Sequence, residues 1–352
     1  MTNITDELIK ATSLLNRVNS DTYDTLVERL DNAQALINAE IMKYDTLTPK
    51  LKKFINDTIN TVYEDFDSLM IKDIEDVVEV AYDKVGIIMG AVAGVEVLKY
   101  KNAKDSVKKR LVNPNKPILG NNLKEEKANL IYSQNKRLRQ VIADGFESDL
   151  SLQQIQRQAR ASENANDLFA KIKRNEINTI TRTALLSNIE DAKVEAMEVF
   201  EKEDWFLGWE YLSVLDTRTS DYCKIADGYV TKDKSKAKYA PKSHYNCRST
   251  WKPITAYDEV TERPSTIWDG KTVNHRDGSK STKFKVKDTE LVSSNLKYME
   301  WYNQLPKQDK ILIMGKQRVE LIESGKISLE DATKLQNNSF ISVRELKERF
   351  KL

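Results

Sequence analysis

The chain has 352 residues, 40% hydrophobic and 31% charged, which fits two or three domains of a soluble globular protein and excludes a disordered or membrane-embedded one. Only 11 glycines and 7 prolines occur, too few for a turn-rich β architecture, so helices should dominate. The net charge of +2 is unevenly split: residues 1–95 hold 9 Lys/Arg against 17 Asp/Glu (−8), and residues 96–352 hold 47 against 37 (+10). The front should repel nucleic acid and the back tolerate it, as solvated helix faces or two different neighbours would both require.

The opening Met1-Thr2-Asn3-Ile4-Thr5-Asp6-Glu7 is acidic and polar, unlike a secretory signal. Residues 4–109 carry helical spacing: Leu26, Leu30, Ala33, Leu36 and Ile37, then Ile55, Ile59, Val62, Phe66 and Met70, with breaks at Ser20-Asp21 and Thr48-Pro49. The most apolar run, 85–95, falls short of the roughly 20 residues needed to span a bilayer. Its small residues Gly86, Gly90 and Gly94 share one helix face and suit close helix packing. Residues 99–116 are basic, with Asp105 the one acid.

The prolines and glycine of 112–120 mark the first boundary. Helices are expected over 123–143, ending at Gly145, from a Ser151–Gln154 capping box, and over 166–202. The period then changes to two through Trp205, Leu207, Trp209 and Tyr211, which predicts a covered strand. Short strands should follow at 228–230 and at 248–252, the last stopping at Pro253. Residues 257–290 look like a basic polar connector. A helical tail follows, with a helix over 307–324 closed by Gly325 and capping boxes at Ser328 and Ser342. The fold class is therefore mainly α with a small β-sheet, an α+β arrangement. The divisions are an acidic helical region 1–112, a linker 113–121, a central domain 122–256, the connector 257–290 and a helical tail 291–352.

The densest chemistry lies in Asp216-Thr217-Arg218-Thr219, Cys223, Gly228 and Pro241-Lys242-Ser243-His244-Tyr245-Asn246-Cys247-Arg248, with Arg182-Thr183 upstream on the long helix. In that order these residues resemble the phage Mu F-like, or phage head morphogenesis, family over about 123–256. The tail, with Trp301, Arg318 and the 324–329 run, resembles C-terminal segments of some members. The resemblance makes Arg182, Thr183, Asp216, Arg218, Thr219, Gly228, Pro241 and Arg248 the structural motif. It implies a non-enzymatic minor capsid protein of the virion head, assembled in the bacterial cytoplasm in several copies. The implied partners are portal or major capsid proteins, with non-specific contact to packaged double-stranded DNA.

On the residues themselves, a charge at a buried strand end demands a partner, so Asp216 should pair with Arg182 or Arg248 while Thr219 satisfies the turn backbone. Cys223, His244 and Cys247 have zinc-ligand spacing. Many relatives carry further cysteines where Ser220 and Ser249 stand here, so a fourth ligand would be Asp216, Asp221, His275 or water. A Cys223–Cys247 disulfide is the other use of the pair. A head-carried metal-dependent nuclease or toxin-like effector is the competing class, although His244 and His275 are the chain's only histidines. Lys232, Lys234, Lys236 and Lys238, with Lys242, form a mobile basic loop suited either to DNA backbone contact or to plain solubility.

Overall fold

The structure, a computed structural model, describes residues 4–15, 18, 20–93, 98–159, 168–274, 280–328, 331–332, 335–336, 339–340 and 342–351. The front forms α1 (Ile4–Leu15), α2 (Asp21–Ile41), α3 (Pro49–Val62), α4 (Phe66–Ala93) and α5 (Leu98–Leu111). Ser20 caps α2 by accepting from Tyr23 N, and Thr48 caps α3 from Leu51 N. Pro49 follows at the first helical position, where a missing N–H costs nothing. The expected stripes are buried, except that Leu36 is 59% exposed while Ile37 faces the core. Lys104 and Lys108 of α5 pair with Glu75, Glu79 and Asp83 of α4, so the two opposite-sign segments partly neutralise each other. Gly86 and Gly90 are buried in α4, and Gly94 lies outside the described residues. Among the described residues no helix is long and apolar enough to cross a membrane.

Next come α6 (Leu123–Glu147), α7 (Leu152–Ala159) and α8 (Leu168–Glu198). Ser151 and Gln154 make the expected reciprocal capping box on α7. Gly145 does not end α6. It is an internal close-packing position, where an added Cβ would sit 2.7 Å from Ile155 Cγ1. Ile155 is fully buried and β-branched, so it yields poorly. Gly145→Ala should gain about 1 kcal/mol of helix propensity but lose about 1–3 kcal/mol to overpacking. The expected net is a small destabilisation, read as a lower denaturant midpoint.

One hydrophobic cluster runs from Leu8 through α2–α8 to Trp251, with α4 packed along α8. On its far side lies an antiparallel sheet of β1 (Phe206–Leu212), β3 (Val230–Thr231) and β4 (Thr250–Thr255), in the order β3-β1-β4. β4 runs past Pro253, which pairs with Trp209. An edge strand tolerates a residue that cannot donate to a second neighbour.

The basic polar connector is in fact a long hairpin, β5 (Glu262–Asn274) with β6 (Lys280–Ser293). Its base is extended to three strands by β2 (Leu215–Asp216), parallel to β5 through Leu215↔Ser265 and Asp216↔Thr266. The alternation that marks it, Lys283-Phe284-Lys285-Val286-Lys287, is hidden by its lysines. The tail comprises α10 (Tyr298–Gln304), α11 (Lys307–Met314), α12 (Lys316–Glu323) and, further on, α13 (Val343–Phe350), with a small β7 (Leu335–Gln336) and β8 (Ser339–Phe340) pair between. The single helix expected over 307–324 is split at Gly315, whose φ of 81° breaks the helical path. Gly325, at φ 70°, closes α12 as expected. Tyr298, Trp301, Tyr302, Ile313 and Met314 pack with Leu215 and Ile267, so the tail grips the hairpin base.

Candidate functional site

The motif residues converge where α8, β2 and the 241–249 loop meet α9 (Asp221–Ala226). Asp216 is 1% exposed at the end of β2. Its carboxylate takes Arg248 in a fork, Nη1 to Oδ2 at 2.6 Å and Nη2 to Oδ1 at 2.9 Å, and also accepts from Arg218 N at 3.0 Å. The Thr219 hydroxyl lies 2.9 Å from Oδ1 and 2.6 Å from the Val214 carbonyl, which closes the turn as expected. Tyr298 OH donates to the Asp216 carbonyl at 2.7 Å, tying the motif to the tail. Of the two arginines considered, Arg248 takes the carboxylate. The carboxylate holds the Arg248 guanidinium up against the opposing effect of its burial.

Arg182 projects from α8 beside Arg248 and Arg218; its burial, then those two cations, pull its pKa down. The Arg218 guanidinium stacks 4.9 Å from the Trp268 ring centre of the hairpin. Thr183 does a different job: its hydroxyl donates to Thr179 O and accepts from Asn246 N at 3.0 Å. That fixes the loop where Asn246 adopts a left-handed φ of 57°. Gly228, at φ 82°, bonds back to the Tyr211 carbonyl, and Pro241 is buried.

The loop and α9 bring Cys223, His244 and Cys247 together, their ligand atoms all within 4.8 Å of one another. Cys223 Sγ is 3.0 Å from His244 Nε2 and 3.9 Å from Cys247 Sγ. Both cysteines are free, which corrects the disulfide reading, since a bond needs about 2.05 Å. His244 Nδ1 lies 2.9 Å from the Tyr245 carbonyl, so that nitrogen donates and Nε2 faces the sulfur. Ser220 Oγ is 2.8 Å from the same Nε2. The neighbouring Cys247 thiol, then His244, hold Cys223 low, while Cys223 and burial push Cys247 up, so Cys223 is the thiolate of the pair. Asp216, held by Arg248, and Asp221, paired with Lys224, do not belong to this group of ligand atoms; His275 lies outside the described residues.

The basic loop has a built local structure. Asp233 caps a 3-10 turn, Lys234–Lys236. Lys234 bridges Glu198 and Glu201 and lies 3.4 Å from the Trp209 ring centre. Lys236 pairs with Asp233, and Lys238 stacks near Tyr239. Lys232, Lys236 and Lys238 are exposed, whereas Lys234 is a brace.

Among the described residues, buried ion pairs that escaped the sequence reading include Glu210–Lys252, Asp227–Arg263 and Glu190–Lys193. Asp227 accepts from Ser213 N at 2.6 Å and Tyr298 N at 2.8 Å, with the buried Arg263 3.4 Å away. Lys193, on α8, reaches Glu190 and donates to Thr250 Oγ1 at 2.6 Å, while Glu190 accepts from Trp251 N. A polar residue interrupting a helix's buried stripe was the available signal for the last of these pairs. No curated protein and no solved structure matches the chain. Residues 122–252 match the family model described as Phage Mu protein F like protein, so the chain carries a Mu F-like domain, with the Asp216–Arg248 fork and the Cys223–His244–Cys247 cluster inside it.

Proposed function

We propose that the chain is a structural minor head protein of a tailed bacteriophage. It joins the procapsid and virion near the portal or inner shell, in several copies, and assists head assembly and DNA packaging or ejection. The observation that carries this reading is the Mu F-like match over 122–252. The motif chemistry supports a role without catalysis: Asp216 and Arg248 are consumed in bracing each other, and Thr183 in holding a loop. The partners are portal or major capsid protein and, through the exposed lysines, the DNA backbone. Assembly takes place in the host cytoplasm. An amber block in this gene should sharply reduce infectious particles, and the wild-type chain supplied in trans should restore them. Normal particle yield and infectivity without the chain would contradict the proposal.

The Cys223–His244–Cys247 cluster supplies three ligands for a zinc ion. A tetrahedral site with Zn–S near 2.3 Å has S···S edges of about 3.8 Å, close to the 3.9 Å observed. Two thiolates, the Cys247 thiol giving up its proton to solvent on metal binding, and an imidazole oriented through its other nitrogen would form the donor set, with water as the fourth ligand. Metal analysis of purified protein should find on the order of one zinc per chain. Chelation should lower the melting temperature, and Cys247→Ser should abolish both the metal and the chelator effect. Metal-free protein with an unchanged melting point would overturn the assignment. The 3.0 Å Cys223–His244 contact also gives the nuclease or effector class its one foothold. That class would be selected by an activity that His244→Ala removes while assembly proceeds.

A further inference from the structure

A groove of about 430 Å³ opens between α6 and α8, with Tyr245 of the 241–249 loop in its wall. Glu126, Asn129, Ser133, Glu176, Thr179 and Tyr245 line it beside the apolar Leu130 and Ile180, and the described lining includes no lysine or arginine. Glu126 is only 3% exposed, yet its Oε1 is served by neutral donors: Tyr245 OH and Asn121 Nδ2, each at 3.1 Å. Its place in the first turn of α6 suits a negative charge, because the helix dipole is positive there. Glu176 differs, since Arg137 already pairs with it. The groove therefore keeps one buried carboxylate whose hydrogen bonds are made without a cation. A buried charge held this way is costly unless a counter-charge reaches it.

The remaining walls define what that counter-charge is. An alkylammonium brings three donors and no acceptor. The groove offers acceptors in Glu126, Ser133, Thr179 and the Asn129 side-chain carbonyl. Tyr245 adds an aromatic wall, 45% exposed, suited to a cation. A phosphate or carboxylate would meet two glutamates and no cationic side chain among the lining residues, whereas Leu130 and Ile180 can take the methylenes that carry an ammonium group.

We propose that this groove binds an organic ammonium group, presented either by a free polyamine or by a lysine side chain of a partner protein. Tyr245 then links ligand binding to the loop that carries His244 and Cys247, because its hydroxyl holds Glu126 from that loop.

The test is calorimetric titration of the full chain, at about 0.15 M salt to screen diffuse charge attraction, with spermidine and separately with Nα-acetyl-lysinamide. Saturable binding of at least one probe to wild type is expected. Glu126→Gln keeps an acceptor but removes the charge, and should weaken binding by about ten- to a hundredfold. Asn129→Trp fills the groove from its exposed rim and should abolish binding even if Glu126→Gln proves poorly folded. Glu28→Gln, on α2, should bind as wild type. Preference for spermidine assigns a free polyamine, and preference for the lysine derivative assigns a protein side chain. The proposal is overturned if neither probe binds, or if Asn129→Trp binds as tightly as wild type.

Discussion

Asp216→Ala should lower the unfolding free energy by about 3–5 kcal/mol, because it leaves the Arg248 guanidinium in place without its carboxylate. The Arg218 amide and the Thr219 hydroxyl lose an acceptor in the same step, and the anchor of β2 beside the hairpin weakens. Asp216→Asn keeps the shape but not the charge and should fall between the two. Denaturant unfolding of the three proteins checks the order. The same measurement on Arg248→Met/Asp216→Leu should recover much of the loss, since removing both charges leaves neither stranded. A single Asp216→Ala effect below about 1 kcal/mol would mean that the fork is a surface pair in energetic terms.

Lys193→Met is expected to cost a similar amount, about 3–5 kcal/mol, by stranding Glu190, which is 5% exposed against α8 and β4. Glu190 also accepts from Trp251 N, so Lys193→Met/Glu190→Gln, which keeps that acceptor without the charge, should restore most of the stability. Burial holds Lys193 below the ordinary lysine value. The unfolded chain therefore binds this proton more tightly, so stability from this group rises with pH between the folded and the ordinary unfolded value. Lys193→Met should flatten that alkaline rise. Chemical unfolding followed across the alkaline range measures both effects.

Local rules made the helical parts legible. Ser20, Thr48 and Ser151 announce helix starts because a cap involves residues only three apart. Asp216 was readable as needing a cation, since charge at a buried strand end allows little else, but the choice between Arg182 and Arg248 depends on how a loop folds over α8. The hairpin was missed for a physical reason: its outer strand carries period-two alternation, but with lysines in every second place its mean polarity matches a loop. The β2–β5 pairing joins residues 50 apart in parallel, and nothing local signals such a contact. Gly145 shows that a glycine in a helical pattern has two meanings, terminator or close approach, and only the position of Ile155 decides between them. The cysteine–histidine cluster was visible from spacing alone; the 2.8 Å approach of Ser220 to His244 was not, because it depends on how α9 begins.

The most direct test of the head-component account is the protein composition of purified particles. Quantitative mass spectrometry of procapsids and of DNA-filled virions should find this chain in the procapsid, in fewer copies than the major shell protein. Absence from both particle types, with the chain free in the lysate, would contradict the account.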